Sequence, residues 1–403
     1  MNDAQHWTGR LRQFKRFDEL RRSNFYQTVH SQLRTLLDTP QRFAQSNCRP
    51  RIQTFTRVVF WNIERGLRLA QLLRALQEHP VLQHADLLLI NEADAGMRRT
   101  DDLHITKELA RELDMHAVFG AEYLELTNQP LARAPVESEV TLPLHGNAIL
   151  SRYPLGKTRV VSLPSCFEFF DYEREKRYGR RMALLVDVHT PQGPLTVVTA
   201  HLEVVGTPAC RARQMKAIME SLSTVSNPVI LAGDFNTNTY KRGTLWRSLS
   251  ALAHLATVRR DSLRCRLTHV EPFEPLFEVL AEYGFAWRDL NDYKPTIQYS
   301  LVDLEDASFL GGSFKALCLY CLAVEKRVLK MRLDWMTGRK VLPLQSGERR
   351  DPSSGQASTT ATTLTDVKAS DHFPIVADVV LNPDALSQPL KRPTGEEFRS
   401  FRV

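Results

Sequence analysis

The sequence predicts a mixed α+β chain, on three observations. Short apolar runs such as Val58-Val59-Phe60-Trp61, Leu87-Leu88-Leu89-Ile90 and Val229-Ile230-Leu231 read as buried strands, and each is followed at once by polar residues. Between them lie stretches with apolar residues three and four apart, the pattern of amphipathic helices. Finally, Met182 to Val188 and Leu195 to Ala200 flank Pro191-Gln192-Gly193, the signature of a β-hairpin. With 43% hydrophobic and 25% charged residues over 403 positions, the chain can bury a large core.

Residues 1–56 carry Phe25, Val29, Leu33, Leu36 and Leu37 at helical spacing among Arg12, Lys15, Arg16, Arg21, Arg22 and Arg34. Met1 to Arg57 hold 11 Lys and Arg against 4 Asp and Glu, which accounts for the whole net charge of +7; the remaining residues hold 42 of each sign. A basic extension of this kind suits nucleic acid, an anionic surface, or a helical collar on the main domain. The strand at 58–61 ends in Asn62-Ile63-Glu64, and Leu69, Leu72, Leu73 and Leu76 mark the helix after it. The strand at 86–90 ends in Asn91-Glu92-Ala93-Asp94. Ile105, Leu109 and Leu113 form a helical stripe, a strand begins at Met115, and the Pro-rich residues 127–143 read as a surface loop.

Gly146 to Arg152 returns to strand before Tyr153-Pro154 breaks it. Phe167-Glu168-Phe169-Phe170 reads as a core anchor rather than an exposed aromatic contact. Gly179-Arg180-Arg181 precedes the hairpin, whose second strand ends in His201-Leu202-Glu203. Met215, Ile218, Met219 and Leu222 line one side of a helix as core filling. Next comes Gly233-Asp234-Phe235-Asn236: in extended backbone Asp234 and Asn236 project together, whereas in a turn they cap their own backbone. Helical pieces at 245–255, 276–283 and 309–329 occupy an insertion from about 240 to 330. Arg332 to Met336 reads as a strand carrying Asp334, residues 345–369 as a mobile loop, and Ser370-Asp371-His372 leads into a last strand at 375–380. The polar tail 382–403 carries no readable chemistry.

Six scattered cysteines show no disulfide framework and favour a reducing, cytoplasmic setting. Cys318 and Cys321 have C-x-x-C spacing in apolar surroundings, the mark of a buried helical pair more than a zinc site. The longest apolar run, Ala316 to Val324, is too short to span a bilayer.

Gathered together, the strand ends supply Asn62, Glu64, Glu92, His201, Asp234, Asn236, Asp334, Asp371 and His372. Oxygen donors dominate and thiolates are absent, which suits Mg²⁺ or Mn²⁺ over Zn²⁺ and points to phosphoryl chemistry. Trp61-Asn62-Ile63-Glu64, Asn91-Glu92, Gly146 to Arg152, Thr199-Ala200-His201-Leu202, Gly233 to Asn236, Arg332 to Trp335 and Ser370 to Pro374 together resemble the endonuclease/exonuclease/phosphatase superfamily. Each motif is weak alone; the ordered set is specific.

The resemblance implies a four-layer α/β/β/α sandwich of two mixed sheets packed face to face, with the site where strand ends meet. It implies one catalytic domain over 57–381, between the extension 1–56 and the tail 382–403. Carried over by position, Glu92 is the principal ligand of Mg²⁺ or Mn²⁺, with Asn62, Glu64 and Asp371 assisting. Asp234 orients or deprotonates water, Asn236 holds the phosphate, and His201 and His372 donate to phosphate oxygens, with Asp334 supporting His372. An arginine facing the phosphate is Arg181 or Arg180, Arg181 being preferred. The implied activity is hydrolysis of phosphate esters, foremost nucleic-acid phosphodiesters. Phosphatase or sphingomyelinase-type activity and a catalytically silent binding module are the alternatives. Oligomeric state is not legible.

Overall fold

The computed structural model describes residues 2–127, 142–172, 175–240, 246, 250, 253–254, 258–299 and 329–381. The chain forms two large sheets. In the first are β1 (Gln41–Phe43), β2 (Thr56–Asn62), β3 (Leu87–Ala95), β4 (His116–Glu125) and β5 (Leu144–Ser151). In the second are β6 (Leu155–Ser162), β8 (Met182–Thr190), β9 (Gly193–Ala200), β10 (Val229–Asp234) and β13 (Asp334–Arg339). The short β7 (Arg177–Gly179) joins the first sheet at β4, and β11 (Ile297–Tyr299) pairs only with β12 (Leu329–Met331). Late in the chain, β14 (Val341–Pro343), β15 (Thr362–Thr363) and β16 (Ile375–Leu381) return to the first sheet, giving it the order β1-β4-β5-β3-β2-β16-β14. The second runs β13-β10-β9-β8-β6. Both are mixed: β2 and β3 are parallel, as are β9 and β10, while their other neighbours are antiparallel.

The inner faces enclose one core of Val58, Phe60, Leu87, Leu89, Val186, Val197, Ile230 and Met336. A second core lies outside the first sheet, beneath helices at Leu69–Glu78 and Ile105–Leu113 and three N-terminal helices at Asn2–Leu11, Phe17–Arg22 and Asn24–Asp38. A third lies outside the second sheet, where Met215, Ile218, Met219 and Leu222 pack with Leu276, Phe277 and Leu280. Strands buried on both faces must be apolar at successive residues. Hence β2 and β10 read as unbroken runs, and the four layers follow.

The extension is a collar: Leu11, Leu20, Val29 and Leu33 are buried in the outer core, while Arg21, Arg22 and Arg34 remain exposed. Phe169 and Phe170 are buried as anchors. Residues 345–369, predicted from composition to be a mobile loop, make specific contacts with the domain. Asp351 accepts from the backbone N–H groups of Gln53, Thr54, Ser353 and Ser354, which ties the segment to the domain entrance. Asp351, at one end of this polar stretch, thus supplies the bonds that the run of Ser and Thr conceals in sequence.

Two of the cysteines overturn the unpaired reading. Cys166, after β6, is disulfide-bonded to Cys210 at the first turn of the helix Pro208–Leu222, with Cα atoms 6.2 Å apart and a sequence separation of 44. Cys318, Cys321, the tail 382–403, most of the Pro-rich loop and the helical pieces at 245–255 and 309–329 lie largely or wholly outside the described residues. Among the described residues, no helix is long and apolar enough to cross a membrane.

Candidate active site

Both sheets end their parallel strands at one edge, and that edge gathers the polar residues. Asn62 closes β2, Glu92 sits inside β3 within the register shift between Ile90 and Ala93, His201 follows β9, and Asp234 closes β10 opposite Asp334 of β13. Glu92 takes φ +58° and Asn236 φ +51°, left-handed conformations that side chains rarely adopt. Gly233 is required: a Cβ there would collide with the Ala200 carbonyl where β10 and β9 converge.

Asp234 is the centre. Its Oδ2 accepts from Asn62 Nδ2 at 3.2 Å and stands 3.6 Å from His201 Nε2 and 3.8 Å from His372 Nε2. Asn62 Nδ2 also reaches Glu92 Oε1 at 3.2 Å, so one amide joins the two acids. Asp234 Oδ1 accepts the Asn236 N–H at 2.9 Å, and Asn236 Nδ2 donates to the Leu202 carbonyl. The turn alternative therefore holds together with the site reading: Asp234 and Asn236 are brought together by a bend and not by extended backbone.

His372 Nδ1 lies 2.7 Å from Asp334 Oδ2. Its backbone is clamped to β2, since Trp61 Nε1 donates to the His372 carbonyl at 2.9 Å and Ser370 Oγ donates to the Asn62 carbonyl at 2.8 Å. Thr296 holds the other side. Its hydroxyl accepts from the Leu333 and Asp334 N–H groups, and its carbonyl accepts from Phe373 N–H. Nothing in the sequence around Thr296 signals this role, because Leu333 and Asp334 lie 37 and 38 residues away, beyond any window in which a periodic pattern is read.

Electrostatics divide the two histidines. Burial works against the His372 imidazolium, but Asp334, Asp371 and Asp234 raise its pKa well above the ordinary histidine value. Burial and the Arg181 charge depress the His201 pKa well below the ordinary histidine value. Burial and Asp334 push the Asp234 carboxyl up to about 7. Burial acts likewise on Glu92, but His201, His145, Arg65 and His372 overcome it and hold that carboxyl well below the usual range.

Of the residues assigned to the metal, Asn62 and Glu92 stand together beside Asp234. Glu64 is turned to Arg68 in the same turn, and Asp371 is exposed at the rim. Asp234, Asp334 and His372 also offer atoms within 4.8 Å of one another, although the His372 nitrogen nearest Asp334 is already committed to it. Asp234 stands among Glu92, Asp334 and His372, and it is raised first by burial and then by the neighbouring Asp334 charge. A hard divalent cation fits this oxygen-rich setting.

Arg181 is buried and pairs with Glu122 at 2.8 Å, whereas Arg180 is exposed. Sequence reasoning assigned no role to Glu122, Asn91 or Asn147, which extend the cluster inward; the last two sit inside motifs it singled out. Asp94 and His145, 2.8 Å apart, add a further buried pair beside it.

A two-sheet sandwich with acids, amides and histidines converging at the strand ends defines a class of hydrolytic enzyme fold. The sequence profile of the Endonuclease/Exonuclease/phosphatase family matches residues 59–293, and the chain belongs to that family of phosphoester hydrolases. Among solved structures it is similar to an endonuclease/exonuclease/phosphatase from Beutenbergia cavernae (20% identity, 81% of this chain and 72% of that one, TM-score 0.47). It is also similar to D. rerio TDP2 complexed with single-strand DNA product (14%, 81% and 99%, 0.40) and to the human Nocturnin catalytic domain with bound sulfate (14%, 84% and 100%, 0.44). No curated protein matches at a significant level.

Proposed function

We propose that this chain hydrolyses phosphodiesters, with nucleic acid as the substrate class, in a reaction dependent on Mg²⁺ or Mn²⁺. The observation that carries the reading is Asp234, a buried carboxylate within 4 Å of an amide and two imidazoles on strand ends of both sheets. Asn62, Glu92 and Asp371 would hold the cation, which when bound neutralises phosphate charge and activates oxygen. Asp234, once ionised, accepts the proton of the attacking water and aims it in line at phosphorus. His372 is the imidazolium that Asp334 maintains, and it donates from Nε2 to a non-bridging oxygen. His201 donates a ring N–H beside it, Asn236 steadies the phosphate, and Arg181 adds positive charge from within.

The nucleic-acid reading is supported by the collar. The N-terminal helices reach the site end of β4, where Arg12 Nε donates to the Leu126 carbonyl and Lys176 Nζ to the Lys15 carbonyl. Exposed Arg21 and Arg22 lie on that collar. Turnover of bis(p-nitrophenyl) phosphate and of a single-stranded oligonucleotide is measured with and without Mg²⁺ and Mn²⁺. The expected result is metal-dependent cleavage of both, abolished by Asp234→Ala. Turnover independent of metal, or an active Asp234→Ala, overturns the mechanism. Oligonucleotide affinity should fall steeply with salt and lose about 1.4 units of log-log slope in the Arg21→Ser/Arg22→Ser protein; an unchanged slope removes nucleic acid from the proposal.

A further inference from the structure

A buried file of side chains crosses both sheets and ends on the backbone of Asp234. We propose that Asn147 and Asn91 are positioning residues that set Asp234 in place, with their orientation dictated by the Arg181–Glu122 ion pair. The catalytic consequence rests on the phosphodiesterase reading; the file itself does not.

The argument is one of hydrogen-bond polarity. An ion-paired carboxylate can only accept, so Asn147 must turn its NH₂ to Glu122, and Nδ2 meets Oε1 at 2.9 Å. That orientation points the Asn147 carbonyl at Asn91, whose Nδ2 donates to it at 2.8 Å and to Thr199 Oγ1 at 3.1 Å. With its NH₂ so committed, Asn91 presents its carbonyl oxygen to the second sheet. There it accepts the Asp234 N–H at 2.8 Å. Each amide has one orientation that satisfies its neighbours, so the file runs one way from a charge to a backbone donor.

Asp234 needs that acceptor. Parallel pairing of β10 with β9 stops at Ala232 and Thr199, and beyond it the Asp234 carbonyl takes the Leu202 N–H. The N–H on the same side of the strand has no ladder partner. Glu122, Asn147, Asn91 and Thr199 are all at most 1% exposed, so water does not substitute for a missing member.

Reversing one link and then restoring it tests the file. Asn147→Asp sets two carboxylates against each other and so drives residue 147 out of the file and away from Asn91; Glu122→Gln added to it supplies a donor again while keeping one carboxylate in the pair. Two readouts are taken: hydrogen exchange of the Asp234 amide by NMR on ¹⁵N-Asp-labelled protein, and kcat and KM on bis(p-nitrophenyl) phosphate with Mn²⁺. In Asn147→Asp the amide should exchange about tenfold to a hundredfold faster and kcat should fall by a similar factor, with KM within about twofold. The double variant should recover most of both. Unchanged exchange in the single variant, or a double variant no better than the single, overturns the proposal. A role confined to stability would lower the melting temperature without the kcat-against-KM split or the rescue. If the wild-type protein turns over no diester, the phosphodiesterase reading falls while the exchange data still judge the file. If Asn147→Asp does not fold, Asn147→Ser removes the directional link without adding charge, and unchanged exchange there is equally decisive against it.

Discussion

Replacing Asp334 with asparagine removes one charge from the centre of the site and keeps the side-chain shape. The lost interaction is a fully buried, 2.7 Å contact between a carboxylate and His372 Nδ1. Charge-assisted bonds of this kind contribute about 1.5–3 kcal/mol, and at about 1.4 kcal/mol per unit the pKa of His372 should drop by about one to two units. His372 acts as imidazolium, so activity disappears as pH rises through its raised pKa, and in Asp334→Asn that descending limb moves to lower pH. Asp234 is held near 7 by burial and then by Asp334, so its ionisation, the ascending limb, also moves to lower pH. At pH 8 the variant should lose about 10²–10³ in kcat, the usual consequence of removing one donor to a developing oxyanion. The assay is the pH–rate profile with Mg²⁺ at saturating diester. Stability carries the same sign: because His372 is raised on folding, its stabilisation is full below about pH 6.5 and lost as pH climbs through the folded value, so the melting deficit of the variant should be larger at pH 6 than at pH 9. A descending limb that stays in place with Asp334 neutralised would show that the pair does not govern the reaction.

Glu92→Gln should abolish the Mn²⁺ binding seen by calorimetry while leaving the fold intact by circular dichroism; heat of binding equal to wild type would remove Glu92 as the principal ligand. Trp61→Phe deletes the indole N–H that clamps the His372 carbonyl, and should cost about 1–2 kcal/mol by urea unfolding together with a fall in kcat larger than any change in KM. Gly233→Ala forces a Cβ into the Ala200 carbonyl and should lower the melting temperature by more than about 10 °C or prevent folding, read by differential scanning calorimetry.

The sequence was most informative where one face or two of a strand is buried. Successive apolar residues in β2, β3 and β10 have no alternative use, so the polar residues after them, Asn62, His201 and Asp234, were legible as strand ends; Glu92, read the same way, instead sits inside β3 at a break in its register. The helical stripe of Met215, Ile218, Met219 and Leu222 was equally direct, because burial on one side leaves a 3.6-residue period. What stayed hidden depends on contacts between distant segments. Periodicity says nothing of the pairing of Cys166 with Cys210, of Thr296 holding Asp334 and Phe373, or of Asp351 fastening residues whose composition predicted mobility. Glu64, assigned an assisting part beside Glu92, pairs with Arg68 four residues on. Residue types and their order specified which chemistry this chain assembles. The opposed shifts of the two histidines, the bend joining Asp234 to Asn236 and the direction of the Asn147–Asn91 file came from folding alone, since each is set by what lies across the gap between two sheets and not by what lies next in the chain.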